Sequence, residues 1–309
     1  MTYTQEIQNK ARELLAGGQV EVVIGYELGP RGRTRPAFVY DAQDVERLVW
    51  NQACTHNLTT YLNDHLKPKY PQKKQAANSE TRRVAVVVKA CDSRAINVLL
   101  AENHFERQQV YVIGVACDGI LEGAGLAGNE RSAQQLVAND PPQYQVRCRH
   151  CNERTPLVYD TLVGKPESHP DTGPNPSGPD AYQRLQAMTP AERAEFWLSQ
   201  FDRCIRCYAC RQACPMCDCP TCLYERDDSL WVGMGIGLNE KRAFHLGRAF
   251  HLAGRCVGCN ECERVCPMDI PISLLNRRLA QEVEAAFGHR AGLAPVSAPF
   301  VTVLSNPGG

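Results

Sequence analysis

The sequence predicts an α/β domain with parallel strands in the N-terminal part of the chain, followed by a mainly helical, cysteine-rich domain. Three observations predict this division. A strand–helix–strand pattern occupies residues 83–116, eleven of the sixteen cysteines lie between residues 204 and 266, and a proline-rich stretch separates the two regions. With 309 residues, the chain is long enough for two hydrophobic cores.

The first part of the chain alternates helical and extended patterns. Ile7, Ala11, Leu14 and Leu15 lie on one face at helical spacing, and Gly17 then provides a stop signal, which predicts a helix over 3–16. The other elements predicted before residue 83 are a strand over 20–28, a turn over 29–32 and a helical segment over 44–62 that is interrupted near Cys54.

The strand–helix–strand unit is the clearest pattern of the first domain. The strands are predicted over 83–90 and 109–116, with a helix over 93–105 between them. Both strands are nearly continuous apolar runs, as is typical of parallel strands that are buried on both faces. We therefore expect two parallel strands joined by a right-handed crossover.

The second domain is predicted from a change in composition and from a helix start. Residues 164–181 contain five prolines and no periodicity, which indicates a linker. Thr189 and Glu192 form a capping box around Pro190, so a helix is expected to begin there and to run to about Phe201. The predicted parts are an α/β domain over 1–165, a Pro/Gly-rich linker over 166–188, a helical domain over 189–290 with helices over 239–255 and 271–287, and a tail over 291–309.

The balance of charge argues against two classes of partner. Lys and Arg total 34, as do Asp and Glu, so no strong field attracts nucleic acid or an anionic membrane. The apolar runs are too short to span a membrane, and the polar N-terminus lacks the apolar core of a signal peptide. We therefore expect a soluble, cytoplasmic protein. The basic run from His65 to Arg83 is interpreted as a solvated loop, with a docking patch as the alternative.

Two cysteine motifs repeat the spacing C-x2-C-x2-C-x3-C-P. In this pattern three cysteines hold one 4Fe–4S cluster and the fourth ligates the other cluster. The predicted ligands are Cys204, Cys207, Cys210 and Cys266 for the first cluster (the first quartet), and Cys256, Cys259, Cys262 and Cys214 for the second (the second quartet). A zinc site, the alternative, uses two pairs of ligands and does not explain an eight-cysteine repeat.

The residues around these motifs are basic and helical. Positive charge beside a cluster is expected to raise its reduction potential. The flanking arginines are Arg203, Arg206, Arg255 and Arg264, and the helix predicted over 239–255 is amphipathic, with Phe244, Leu246, Phe250 and Leu252 as its apolar residues. His245 and His251 are six residues apart and do not share a helix face, so both are interpreted as packing or solvent-facing residues.

Four further cysteines predict a third site in the first domain. Cys91 and Cys117 each follow one of the two predicted parallel strands, and the ends of such strands share one edge of a sheet. Cys148 and Cys151 supply a chelating pair, which completes four ligands (the third quartet). The hypothesis is a third 4Fe–4S cluster; zinc is the competing metal, and Cys91 and Cys117 as small buried apolar residues are the simplest alternative.

The four remaining cysteines are Cys54, Cys217, Cys219 and Cys222. Three interpretations stay open. Together they form a further metal site, or Cys217 competes with Cys214 for a cluster, or all four are reduced thiols that shield the clusters.

Two resemblances follow from these motifs. The segment 190–290, with "RCVGCNECERVCPMDIP" at 255–271, resembles the helix-rich dicluster domains of heterodisulfide-reductase-like and Rnf-type subunits. The first domain resembles the coenzyme F420 hydrogenase/dehydrogenase beta-subunit family through 89–94, 114–117, 148–151 and Val163–Gly164. That second resemblance implies a cubane on the third quartet and a flavin, FAD, in the vicinity of Lys89 and Arg94. In this chain the dicluster domain follows the α/β domain, whereas it precedes that domain in the family.

These patterns predict an iron–sulfur electron-transfer subunit of a cytoplasmic redox complex, of the hydrogenase, formate dehydrogenase or heterodisulfide-reductase-like kind. Its expected partners are the other redox subunits of that complex. A flavin-dependent oxidoreductase that reduces a small electron carrier directly is the alternative, and a non-redox metal protein is a third hypothesis. The stretch 114–125 lacks the glycine spacing of a dinucleotide-binding turn, so direct nicotinamide binding is not expected.

Overall fold

The described chain divides into two units with different secondary structure. The computed structural model describes residues 1–66, 83–122, 143–165, 179–219, 221–226, 228 and 232–293. One unit comprises Met1–Pro170 with Ala291–Gly309, and the other comprises Asp171–Arg290. Most of the predicted basic run, and parts of the predicted linker and tail, lie outside the described residues.

Five strands form one mixed sheet in the first unit, in the order β2-β1-β3-β4-β5. They are β1 Val22–Leu28, β2 Thr34–Val39, β3 Val84–Val88, β4 Val110–Val115 and β5 Thr161–Val163. The pairs β1–β3, β3–β4 and β4–β5 are parallel, whereas β2 pairs with β1 in the antiparallel sense. The predicted α/β class is therefore confirmed in its coarse form. The edge strand β2 was not predicted, and its Pro36 is tolerated because an edge strand needs fewer ladder donors.

The core of this unit lies around the central strand. All five residues of β3 are buried, as a strand covered on both faces requires. The helices in the described part of the unit are α1 Tyr3–Ala16, α2 Leu62–Leu66, α3 Ala90–Ala101 and α4 Val146–Arg149. Helix α1 has the predicted bounds and buries Ile7, Ala11 and Leu14.

The interrupted helical segment predicted over 44–62 is confirmed only in its two ends and in the interruption around Cys54. The structure has short 3-10 turns at Ala42–Arg47 and Leu58–Tyr61 and no helix between them. The side chain of Asn51 accepts a hydrogen bond from the backbone N–H of Ala53, and Asn57 does the same for Thr59. Such local side-chain bonds compete with helical backbone hydrogen bonds.

Helices dominate the described part of the second unit. They are α5 Ala181–Ala187, α6 Pro190–Asp202, α7 Ala209–Gln212, α8 Leu238–His251, α9 Glu261–Arg264 and α10 Ile272–Phe287. Helix α6 begins at the predicted capping box of Thr189 and Glu192. Helix α5 falls inside the predicted linker, where Asp180 caps its first turn. None of the helices in the described residues has the length and apolar character that a membrane span needs.

Candidate metal centres

The two cysteine loops of the second unit have the same backbone conformation. Arg206 and Tyr208 have φ angles of 51° and 57°, and the equivalent Gly258 and Asn260 have 72° and 59°. A short helix, α7 or α9, follows each loop directly. Left-handed angles are costly for residues other than glycine, and such strain persists where the surroundings require it. The sequence repeat is therefore also a structural repeat.

The first quartet lines a single cavity. Cys204, Cys207, Cys210 and Cys266 all border it, together with apolar side chains that include Phe244 and Ile270. Burial raises the pKa of Cys210 to about 11, and the three other thiols of the quartet act on it electrostatically. Cys207 is the exposed member of the set. Four thiols around one cavity fit the donor set of a 4Fe–4S cluster.

The second quartet is also brought together across the two loops. Burial raises the pKa of Cys259 to about 12, with further contributions from Cys214 and Cys256. Cys262 interacts with the same thiols, again with burial as the largest cause of its raised pKa. The fourth member, Cys214, therefore lies with the opposite loop, as the crosswise pattern predicts. A bound metal would reverse these pKa shifts, because its charge favours the thiolates.

A buried arginine lies between the two quartets. Arg248, on α8, is 3% exposed, and its Nη2 donates a hydrogen bond of 2.9 Å to the backbone oxygen of Cys210. Burial lowers the pKa of Arg248, but neighbouring thiols outweigh that effect and raise it above its ordinary value. These thiols are Cys214, Cys217, Cys262 and Cys210, in decreasing order of effect. The sequence analysis did not identify this residue.

The buried face of α8 differs from the predicted one. Leu246 and Phe250 are 45% and 67% exposed, so the apolar set proposed for this helix is wrong in those two members. The helix buries Lys241, Phe244, His245, Arg248 and Ala249 instead. The cysteine sulfur atoms beside Arg248 favour its positive charge, which agrees with a partly basic face that points inward. His245 packs in parallel against Phe201 with ring centroids 4.7 Å apart, and burial lowers its pKa to about 4.

The four arginines predicted beside the motifs have protein partners. Arg206 is 5% exposed and donates to the backbone oxygens of Gly233 and Gly235 at 2.6 and 2.8 Å. Arg264 forms a bidentate ion pair with Glu261. Arg255 lies 3.2 Å from a carboxylate oxygen of Asp218. Arg203 donates to the backbone oxygen of Met268. Their predicted effect on cluster potentials stays a prediction.

The third quartet lies at the carboxyl edge of the sheet in the first unit. Strands β3 and β4 are parallel neighbours, and the chain reaches Cys91 and Cys117 just after them. Helix α3 begins at Ala90, three residues earlier than predicted, so Cys91 lies in its first turn. Burial raises the pKa of the Cys91 thiol well above the ordinary value, and the carboxylate of Asp92 adds to that effect. Burial raises the pKa of Cys117 to about 12, and Cys148 and Cys151 act in the same direction.

Backbone groups hold the loops of the third quartet together. The backbone N–H of Ile120 donates to the Sγ atom of Cys148 at 3.3 Å. The N–H of Cys117 donates to the backbone oxygen of Arg154 at 2.9 Å, and the Nη1 of Arg154 returns a bond of 3.2 Å to the oxygen of Cys117. The structure thus brings the four predicted thiols together. Their role as metal ligands stays a prediction.

The two residues predicted near a flavin are engaged within the protein. Lys89 is fully buried, and its Nζ donates to Tyr26 Oη at 2.6 Å, His56 O at 2.7 Å and Asp92 Oδ2 at 2.7 Å. Three acceptors satisfy the three N–H groups of a lysine ammonium. Arg94 donates from Nε and Nη2 to the backbone oxygen of Ala291, at 2.9 and 2.8 Å. Lys89 therefore does not fit as a flavin contact, and Arg94 tethers the start of the predicted tail.

The four remaining cysteines have different surroundings. Cys54 is fully buried in the first unit, where burial raises its pKa to about 12. Cys217 lies beside Cys214, Cys219 is exposed, and Cys222 begins a 3-10 turn. The site that would join all four stays a prediction. None of the sixteen cysteines, all of which belong to the described residues, forms a disulfide bond.

Known proteins resemble this chain in both units. Residues 203–271 match a family described as a 4Fe-4S dicluster domain. The beta subunit of an F420-dependent formate dehydrogenase from Methanocaldococcus jannaschii is 35% identical over 99 residues, which cover 32% of this chain and 26% of that protein. The beta subunit of F420-dependent formate dehydrogenase 1 from Methanococcus maripaludis is 22% identical over 292 residues, covering 70% of this chain and 75% of the relative.

These likenesses agree with both predicted resemblances. The dicluster match includes all eight cysteines of the first and second quartets. The first of the two relatives is matched over about a quarter of its own length only. The chain is thus similar to the beta subunits of F420-dependent formate dehydrogenases and carries a 4Fe–4S dicluster domain in its C-terminal part.

Proposed function

We propose that the chain is an iron–sulfur electron-transfer subunit of a redox complex. It holds one 4Fe–4S cluster on the first quartet and a second on the second quartet. The observation that carries the proposal is the crosswise meeting of eight thiols from two loops with matching backbone conformation. When bound, such clusters accept and release single electrons.

The residues around the first and second quartets suit this role. The thiols provide the iron ligands, and apolar side chains such as Phe244 and Ile270 limit the access of water to the first quartet. Arg248 supplies a buried positive charge that favours the thiolates of both quartets. Both relatives are beta subunits of formate dehydrogenases, which supports the other redox subunits of a comparable complex as the partners.

A third 4Fe–4S cluster on the third quartet is part of the proposal. Four cysteines at the carboxyl edge of a parallel sheet form a donor set that suits iron–sulfur clusters and zinc. The likeness to F420-dependent subunits favours the cluster, since that family places a cubane on the corresponding residues. Cys91 and Cys117 then ligate it from the ends of β3 and β4, and Cys148 and Cys151 complete the set.

The flavin enzyme gains no support from the two residues predicted beside FAD. Lys89 donates to three protein oxygens, and Arg94 binds the carbonyl oxygen of Ala291. FAD would provide two-electron exchange with a carrier if other residues held it. A yellow chromophore released by acid from the purified protein would favour that alternative.

The test is iron analysis of anaerobically purified protein. We expect about twelve iron atoms per chain, from three clusters of four. The Cys91→Ala variant should retain about eight, because only the third quartet loses a ligand. Cys54→Ala is the matched control, a buried cysteine of the same unit outside the quartets, and it should retain all the iron.

Two results would count against the proposal. A folded protein without iron would exclude the electron-transfer role. About eight iron atoms in the unaltered chain, with bound zinc, would restrict the clusters to the second unit.

A further inference from the structure

Cys217 lies against a predicted ligand of the second quartet. Its side chain is hydrogen bonded to that of Cys214. The backbone N–H of Cys217 donates to the oxygen of Cys214 at 3.0 Å, which closes a turn between them. The turn Cys214–Pro–Met–Cys217 therefore brings the sulfur atoms of its first and last residues into contact.

Arg248 faces both of these sulfur atoms. It is hydrogen bonded to the side chain of Cys217, and Cys214 and Cys217 have the two largest favourable effects on its charge. A buried guanidinium favours whichever neighbouring sulfur is deprotonated. One buried cation therefore lies beside both sulfur atoms of the turn.

The other two extra cysteines of the second unit have different neighbours. Cys219 is exposed, and Arg211 donates to its backbone oxygen at 2.7 Å. Cys222 contributes to the raised pKa values of Tyr208 and Tyr224, for which burial is the largest cause. The contact with a predicted cluster ligand distinguishes Cys217 from both.

We propose that Cys217 is an alternative fourth ligand of the second cluster and can take the place of Cys214. This inference rests on the proposed function, since it needs a cluster on the second quartet. In the exchange, one iron–sulfur bond to Cys214 breaks and one to Cys217 forms. The proton that Cys217 loses passes to the Cys214 sulfur, and no electrons are gained or lost.

The experiment measures iron per chain and the EPR spectrum of the reduced protein in alanine variants, since alanine cannot ligate iron. Cys214→Ala and Cys217→Ala should each retain all the iron, because one of the two thiols remains. The double variant should lose about four iron atoms and one EPR signal. Cys256→Ala, which removes a ligand of the same cluster, should lose about four as well. Cys219→Ala, as a control for an exposed cysteine, should lose none.

The variants separate the two proposals. If Cys214→Ala loses as much iron as Cys256→Ala, the role of Cys217 is refuted and the quartets stand. If Cys256→Ala loses no iron, the assignment of the second quartet itself is refuted. If circular dichroism shows that Cys214→Ala does not fold, Cys214→Val is compared with Cys214→Val/Cys217→Ala. A loss of about four iron atoms between those two supports the proposal, and equal iron content refutes it.

Discussion

Arg248 carries a positive charge into the interior of the second unit, where a cation is costly unless anions surround it. Cys210 belongs to the first quartet, whereas Cys214 and Cys262 belong to the second, and all three favour its charge. A single guanidinium therefore acts on both proposed clusters. Because each cluster becomes more negative on reduction, a nearby cation favours the reduced state.

Replacement of Arg248 by methionine should lower the reduction potentials of both clusters. At the effective dielectric constant of a protein interior, loss of one positive charge beside a cluster makes its reduction less favourable by about 1–2 kcal/mol. This corresponds to a lower reduction potential by roughly 40–90 mV for a one-electron couple. Anaerobic redox titration followed by EPR measures the two potentials. Arg248→Lys keeps the charge and should restore most of the difference.

Arg226 offers the matched surface control. Its side chain is 48% exposed and pairs with Asp228, so Arg226→Gln should leave both potentials nearly unchanged. Equal shifts in Arg248→Met and Arg226→Gln would mean that net charge alone sets the potentials. If the reduction potential of only one cluster shifts, Arg248 lies beside that cluster and not between the two.

Single residues differed in how far their roles could be predicted. The cysteine spacing repeats in the sequence, so the composition of each quartet followed from the pattern, and the structure brings the same thiols together. Arg248 has no such signal, because one arginine in a basic helix resembles an ordinary solvated residue. Two of the three partners of Lys89 come from segments 33 and 63 residues away, which local sequence does not indicate.

At the scale of elements, α8 differs from an ordinary amphipathic helix, because it buries basic side chains and exposes an apolar one. Its inward face combines Phe244 with Lys241, His245 and Arg248, while Phe250 is 67% exposed. Hydrophobic periodicity assumes that the core is apolar. Here the core contains cysteines that are proposed as metal ligands, so charge complementarity also determines which face turns inward.

Two phenylalanines of α8 test this orientation. Phe244 is 1% exposed and packs edge-on against Tyr208 and Tyr224, so Phe244→Ala should lower the free energy of unfolding by about 3–5 kcal/mol. Phe250→Ala should change it by less than about 0.5 kcal/mol. Anaerobic urea unfolding of the cluster-loaded protein measures both variants. A larger cost for Phe250 than for Phe244 would contradict the observed face.

Other elements were predictable to the extent that their signals are local. Continuous apolar runs predicted β3 and β4 to within two residues, and a capping box predicted the start of α6. The segment 44–62 has apolar spacing like that of a helix, yet Asn51 and Asn57 fold it into turns through side-chain bonds. The strand β2 contains Pro36 and Arg35 and lacked a recognisable strand signal.

At the scale of the whole chain, the two units depend on different kinds of core. The first has a sheet whose central strand buries five consecutive Val and Ala residues. In the second, Cys204 and Cys262 belong to the same buried cluster as Phe201, Ile270 and Ile272, and Cys210 and Cys266 pack against it. Proposed metal ligands are therefore part of the core itself. Where ligands form the core, the free energy of metal binding contributes directly to folding.

Removal of iron should consequently destabilise the second unit far more than the first. Without clusters, the buried thiols are protonated and Arg248 loses the anions that favour its charge, whereas the apolar contacts of β3 and β4 persist. Hydrogen exchange with mass spectrometry, before and after anaerobic chelation, measures this difference. Peptides from α8 and α10 should lose most of their protection, while those from β3 and β4 should keep it. Equal loss in both units would mean that the third quartet holds the sheet together, and unchanged protection in α8 would mean that its buried basic face is stable without a cluster.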